Sequence, residues 1–251
     1  MKTGFIDRFM CSLPQPVPVA DYAPAPVEFG PRIWTIDRRL RMPGGLILPV
    51  CSTVLRVKEG SVVVISPPLL DPQLVTSLQG LGGLAGVIAP NSFHYVFLDH
   101  FKAAFPEAQA FVPPRMQERV APLADATTLS ETSPPIWAED MEQRVFGPIG
   151  NVAEMVFFHK ASTTLILTDL AFNMIHFEST LQRCAWRIFG VPSSFGPSRL
   201  VRLTLLSDTA KSREYLAPIL QWPFERIIVA HGSPVLSNAR AEFRRTYAPY
   251  L

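Results

Sequence analysis

The order in which β-rich and helical segments follow one another is the tightest constraint on how this chain can fold. Strands come first in pairs. Ile33-Trp34-Thr35-Ile36 is short and β-rich, Ser52 to Val57 alternates in polarity, and Lys58-Glu59-Gly60 offers a turn into the β-branched run Ser61 to Ile65, which Ser66-Pro67-Pro68 ends. This pattern predicts a hairpin. Strands then alternate with helices. A helix is predicted over Pro72 to Gln79, with Asp71 as N-cap, Pro72 at the first helical position and glycines at 80, 82 and 83 closing it. Leu84 to Ala89 is the next strand, Asn91 to Ala104 a loop entering a helix that Pro106 stops, and Gln109 to Val112 a further strand. Residues 113–143 read as mixed, with a helical turn near Pro114–Val120.

The second half repeats this plan. Glu154 to Phe158 and Thr163 to Leu167 are strands, and Asp208 to Gln221 is a helix that Pro218 should kink or divide. Arg226 to Ala230 is a strand and Ser237 to Tyr247 a final helix. Helices covering the outer faces of two packed sheets, an α/β architecture, satisfy such an order.

The first 31 residues are proline-dense (Pro14, Pro16, Pro18, Pro24, Pro26, Pro31), which predicts an extended arm ahead of one domain over residues 32–251. A chain of 251 residues, 48% apolar and 18% charged, can bury a full core. The net charge of +2 reads as a basic excess without local concentration, so no nucleic-acid partner is expected. Arg38, Arg39 and Arg41 read as a solvated strand edge. No run of 18 apolar residues occurs, so no membrane partner is expected. Met1 to Leu13 lacks the apolar stretch of a signal peptide. Cys11, Cys51 and Cys184 are odd in number and in no CxxC spacing, which fits free thiols in a reducing cytoplasm, with Cys51 and Cys184 buried.

Three apolar runs are followed closely by a polar residue. These are Val87 to Ala89 leading to His94, Leu165 to Leu167 leading to Asp169, and Ile227 to Ala230 leading to His231. Strand ends in layered α/β folds are where ligands and metals are held, because the strand fixes the residue and the loop leaves it open. Imidazole and carboxylate together suit Zn, Mn or Fe. Each residue also has a plainer reading: Asp169 as a turn cap, His231 bonded to a backbone carbonyl, His94 at a helix start, His159 in a turn, His100 on a solvated helix. Gly44-Gly45 and Gly82-Gly83 lack the surroundings of phosphate loops, and no GxSxG elbow is present.

The chain resembles the metallo-β-lactamase superfamily, and more narrowly a branch of unknown function within it. The residues that carry the resemblance are Ile65-Ser66-Pro67, Ala89-Pro90-Asn91 with His94, Phe157-Phe158-His159, Thr163 to Leu170, and Ala230-His231-Gly232, across residues 32–250. It implies a four-layer αββα sandwich with metal at one edge of the sheets. The usual first ligand loop, H-x-H-x-D-H, is here Asn91-Ser92-Phe93-His94-Tyr95-Val96, and Ser66 stands where an Asp usually follows the early strand. His94 falls between ligand positions and reaches the site only if the loop shifts register.

Asp169 stands at the strand end that carries the bridging Asp, and His231 at the place of the last His. The resemblance thus implies loss of the two-metal site and a residual one-metal site of His94, Asp169 and His231, to which Glu154 or His159 could add. One Zn, Fe or Mn ion, or none, is the cofactor expectation. A hydrolase acting on an ester, amide or lactone, with Asp169 and His231 catalytic, is one implied function. The alternatives are a metal-free relative binding a small molecule or partner, and an enzyme running a non-hydrolytic reaction in the same pocket. Phe172 to Phe195 reads as a lid over the site or a dimer surface.

Overall fold

The computed structural model describes residues 17–19, 25–42, 44–116, 125–149 and 152–251. Most of the proline-rich arm, Cys11, Asn151 and the end of the turn expected near Pro114–Val120 lie outside them.

The strands are β1 (Val17–Pro18), β2 (Val27–Gly30), β3 (Ile33–Arg41), β4 (Ile47–Arg56), β5 (Val62–Ile65), β6 (Leu84–Ile88), β7 (Gln109–Val112), β8 (Thr127–Thr128), β9 (Met141–Ile149), β10 (Val152–His159), β11 (Thr164–Asn173) and β12 (Arg226–Gly232). The helices are α1 (Pro72–Leu81), α2 (Leu98–Ala104), α3 (Thr180–Ile188), α4 (Arg199–Leu203), α5 (Thr209–Ile219) and α6 (Ala239–Tyr247). The expected hairpin is β4–β5, turned by a 3-10 helix at Lys58–Gly60. Asp71 caps α1 by accepting from the Leu74 amide. Pro218 neither kinks nor divides α5, because it sits in the last turn, where the chain is about to leave the helix.

One sheet runs β1-β3-β4-β5-β6-β7-β8, with β2 also on the edge of β3; the other runs β12-β11-β10-β9. β5 to β8 are parallel, as are β11 and β12, and the remaining pairs are antiparallel. β5 explains why apolar runs here lack alternation. Val63 and Ile65 face the other sheet, beside Met155, Phe157 and Ile228. Val62 and Val64 face α1 and α2, beside Leu74, Leu78, Leu98 and Phe101. In the second sheet Leu165, Leu167, Ile227 and Val229 face α5 and α6 through Leu216, Ile219, Phe243 and Tyr247. Strands covered on both faces need apolar residues at every position. Three stacked cores between four layers make the αββα sandwich.

Four sequence expectations change. β9 begins at the end of the stretch read as mixed and runs on to Ile149, where no strand was expected, because Gly147-Pro148 and its charged residues hide a strand at the sheet edge. β11 continues through Asp169 to Asn173, so Asp169 does not end its strand. Arg38 is buried, with Nη2 donating to Asp71 at 3.2 Å. Cys184 is exposed on α3, whereas Cys51 is buried as expected.

At the far end of β10, His159 is fully buried. The Ser162 hydroxyl donates to Thr164 Oγ1 (2.8 Å), so it accepts from His159 Nδ1–H (2.7 Å). Nε2 is then the bare nitrogen, and it has no hydrogen-bond partner among the described residues. Burial, opposed by Asp140 and aided by Arg32 and Arg226, pushes the imidazole from 6.5 down to about 4. The unfolded chain therefore takes up a proton in this window that the native state refuses. The contribution to stability is complete above pH 6.5 and lost as pH falls toward 4, by about 3 kcal/mol in all. Urea unfolding at the two ends of this window should show that loss, and His159→Gln, which keeps a donor for Ser162, should shrink it.

Candidate metal centre

The centre forms where one loop of the first sheet meets an irregularity in the second. β11 and β12 pair in parallel with Leu167 opposite Val229, yet Phe172 opposite His231. Five residues on one strand thus match two on the other, and Thr168 to Ala171 bulge out of the ladder. A bulge frees backbone groups that must find partners when buried. Glu154 on β10, itself buried, supplies two: Oε1 accepts from the Thr168 amide and Oε2 from the Leu170 amide, both at 2.8 Å. The Tyr247 hydroxyl donates to the Leu170 carbonyl at 2.6 Å. Phe172 exchanges backbone hydrogen bonds with Gly196. Between the two amides held by Glu154, the Asp169 side chain points away from the ladder toward the first sheet.

His231 lies within β12, one residue from its end. Its Nδ1 is 2.9 Å from the Pro49 carbonyl on β4, and a carbonyl only accepts, so Nδ1 carries a hydrogen. Its Nε2 faces Asp169 Oδ1 at 3.2 Å. Phe172 stacks on the ring with centroids 4.8 Å apart. Gly232 follows at φ +105°, where a Cβ would lie 2.2 Å from the Asn173 carbonyl oxygen, so the strand can approach β11 this closely only with glycine there.

His94 arrives through Asn91. The Asn91 Oδ1 accepts from the amides of Phe93 (2.8 Å) and His94 (3.1 Å), folding the loop back on itself. This is the register shift that the sequence required, and it brings His94 Nε2 to 3.4 Å from Asp169 Oδ2. The other end of Asn91 donates from Nδ2 to Asp169 Oδ2 (2.8 Å) and Thr168 Oγ1 (3.0 Å). Ser66, at φ +59° just after β5, lies with Oγ 2.5 Å from His94 Nδ1, and the Ser52 hydroxyl donates to the Ser66 carbonyl. Ser66, His94 and Asp169 share the connectivity of a serine nucleophile triad. The serine is only 3% exposed, however, so its hydroxyl orients the imidazole and is closed to a substrate.

Asp169 is compensated from three sides. Burial raises its carboxyl, but the His94 charge and the hydrogen bonds from His231 and His94 outweigh it and hold the group well below the ordinary carboxylate range. For Glu154, burial and the nearby Asp169 charge both push the carboxyl up, against the two amides that favour its ionised form.

One ligand atom from each of His94, Asp169 and His231 lies within 4.8 Å of the others, and among the described residues no other such group of three forms. Donors bound about 2.1 Å from one ion at a tetrahedral angle would sit about 3.4 Å apart; here His94 Nε2 lies 3.4 Å from Asp169 Oδ2 and His231 Nε2 lies 3.2 Å from Oδ1, on different oxygens of the one carboxylate. A neutral His231 would set a bare Nε2 against a carboxylate oxygen, acceptor against acceptor. Only a proton or a metal cation between them relieves that contact. The donor set thus fits one Zn, Fe or Mn ion.

Glu154 and His159, considered as added ligands, are not among the three. Both Glu154 oxygens are taken by backbone amides, and His159 stands five residues further along β10, about 16 Å away at strand spacing. His100 is exposed on α2, and His176 is exposed beyond β11. Asn91, Ser66 and the Pro49 carbonyl were not foreseen in these roles; a polar Asn and Ser at two lost ligand positions were the only signal. Pro49, Gly232 and Ser233 also line a cavity of about 440 Å³, with Asp37, Arg39 and Gln182 on its other walls. The three candidate ligands do not line it.

A domain of unknown function, DUF4336, matches residues 31–184. No curated protein matches the sequence. Among solved structures, the DIM-1 metallo-β-lactamase exposed to ceftazidime aligns over 96% of this chain and all of its own, at 10% identity and a TM-score of 0.61. The FIM-1 metallo-β-lactamase from Pseudomonas aeruginosa, in its mono-zinc form, covers 93% of this chain and 99% of its own (10% identity, TM-score 0.59). The metal-soaked flavodiiron core of Flv1 from Synechocystis sp. PCC6803 covers 94% of this chain and 61% of its own (13% identity, TM-score 0.60). At these identities the likeness is one of fold. The chain belongs to the DUF4336 family, a domain of unknown function, and is built on the metallo-β-lactamase fold.

Proposed function

We propose that the protein is a hydrolase of an ester, amide or lactone that works with one metal ion held by His94, Asp169 and His231. The observation that carries this reading is the His231 imidazole. Its Nδ1 is committed to the Pro49 carbonyl, so Nε2 faces the Asp169 carboxylate across a gap that takes either a proton or a metal ion. Three protein ligands leave a coordination position open, and a bound metal would there lower the pKa of a water toward 7 and supply hydroxide. The chain's own groups orient the ligands. Ser66 sets the ring of His94, Pro49 that of His231, and Glu154 holds the backbone on both sides of Asp169. The catalytic part of His231 and Asp169 is then that of ligands, with His231 Nδ1 held by Pro49 and Asp169 Oδ2 accepting from Asn91. A second reading, a metal-free binder of a small molecule, is favoured by Asn91, whose Nδ2 already donates to Asp169 Oδ2.

Elemental analysis of protein purified without chelator should find about one equivalent of Zn, Fe or Mn, and Asp169→Ala should remove it. Absence of metal from the parent would leave the metal-free reading, and a metal content unchanged in Asp169→Ala would overturn the assignment of Asp169 as a ligand. Glu154→Gln tests the support around Asp169. An amide cannot accept at its nitrogen, so either Thr168 or Leu170 loses its acceptor. Metal affinity, measured by competition with a chromophoric chelator, should fall about tenfold or more. The cost in stability should be about 1–3 kcal/mol by urea unfolding. An affinity equal to that of the parent would show that the clamp does not position the ligand.

A further inference from the structure

Helix α3 belongs to none of the three cores between the layers. Its buried residue Trp186 packs in a small separate cluster with Phe172, Met174 and Val191, against Met42, Leu46, Leu48 and Phe177. Trp186 Nε1 donates to the Ile47 carbonyl, and Gln182 Oε1 accepts from the Ile47 amide, both at 3.1 Å. At 100° per residue, Gln182 and Trp186 define the inward side. Leu181, Cys184 and Ile188 then fall on the outward side at i, i+3 and i+7. Leu181 is 79% exposed, Ile188 73% and the following Phe189 64%. Beside this apolar stripe runs a basic one: Arg183 and Arg187, four residues apart and both exposed.

The helix next in sequence adds to it. The Arg199 amide at the start of α4 donates to the Gly190 carbonyl, and Arg199 and Arg202 are exposed, as is Leu203 at 69%. No carboxylate pairs with any of these four arginines among the described residues, and Glu178, ahead of α3, is taken by Arg39 at 2.8 Å. From Ile175 to Leu203 there are four arginines and one glutamate, a net charge of +3 against +2 for the whole chain, so the remaining residues sum to −1. The basic excess is therefore concentrated after all, on the surface that also carries the largest exposed apolar side chains.

An apolar stripe flanked only by cations suits an anionic, apolar-backed partner. A second copy of the chain would bring arginines against arginines. We propose that the outer face of α3 is a docking surface for a lipid bilayer with anionic headgroups. The helix lies in the interface plane, with Leu181 and Ile188 in the acyl boundary and the arginines at headgroup level. This differs from spanning, for which no helix among the described residues is long and apolar enough. It replaces the expectation of no membrane partner, which rested on the lack of a spanning run.

The test is flotation of the intact protein with phosphatidylcholine vesicles that contain, or lack, about 30% phosphatidylglycerol, in about 0.1 M salt. The parent should float with the anionic vesicles and partition about tenfold less onto the neutral ones. Leu181→Asp/Ile188→Asp should lose about tenfold or more on anionic vesicles, and Arg183→Glu/Arg187→Glu should lose the preference for them. All these side chains are exposed, so thermal melting should match the parent, which separates lost docking from lost folding. Asp169→Ala should float like the parent, so a failure of the metal reading leaves this result intact. A parent that floats with neither vesicle, or variants that float as it does, would overturn the proposal. So would light scattering that shows a dimer made monomeric by Leu181→Asp/Ile188→Asp, or binding to immobilised polyglutamate without binding to vesicles.

Discussion

A carboxylate held between two sheets has to be compensated from every side, and that requirement organises this structure. Asp169 sits between two sheets with only 15% of its side chain exposed. Left alone there it would take up a proton. Instead it faces His94, His231 and the Asn91 amide, so the charge survives burial and becomes the point where both sheets meet. The centre therefore serves the fold as well as any chemistry, because it joins a loop after β6, the bulge of β11 and the end of β12.

The bulge is what makes such a carboxylate available. A regular β11 would point residue 169 along the ladder's alternation and leave no free amides. Extra residues between Leu167 and Phe172 push Asp169 out, and Glu154 and Tyr247 then bind the backbone that the ladder has lost. Those two buried groups never touch the open coordination position, yet the direction of Asp169 depends on them. The same logic holds on the facing side. Asn91 stands where a ligand is lost, and by capping its own loop it delivers His94 to the place instead.

Much of the architecture was legible. The run Val62–Ile65 and the run Leu165–Leu167 lack alternation because both of their faces are covered, and continuous β-branched sequence signals that directly. The cap at Asp71 was equally plain, since a side chain needs only its own backbone for that role. β9 was hidden because Gly147-Pro148 and the charged Glu142 and Arg144 break its apolar pattern, while an edge strand tolerates them. Cys184 and Arg38 were misplaced because exposure on a helix or strand depends on what packs against it, and residue type carries little of that.

By itself the sequence determined which segments are strands and helices, that they stack in layers, and that an imidazole, a carboxylate and a second imidazole follow three apolar runs. These are local properties of periodicity, propensity and order. Only the tertiary structure decided that His94 joins Asn91 at Asp169, that Glu154 is a clamp and His159 a remote buried histidine, and that α3 turns an apolar, basic face outward. Each of those outcomes hangs on a hydrogen bond or contact between residues far apart in the chain. Whether a given lone pair meets a donor, a carboxylate or solvent is settled by packing alone.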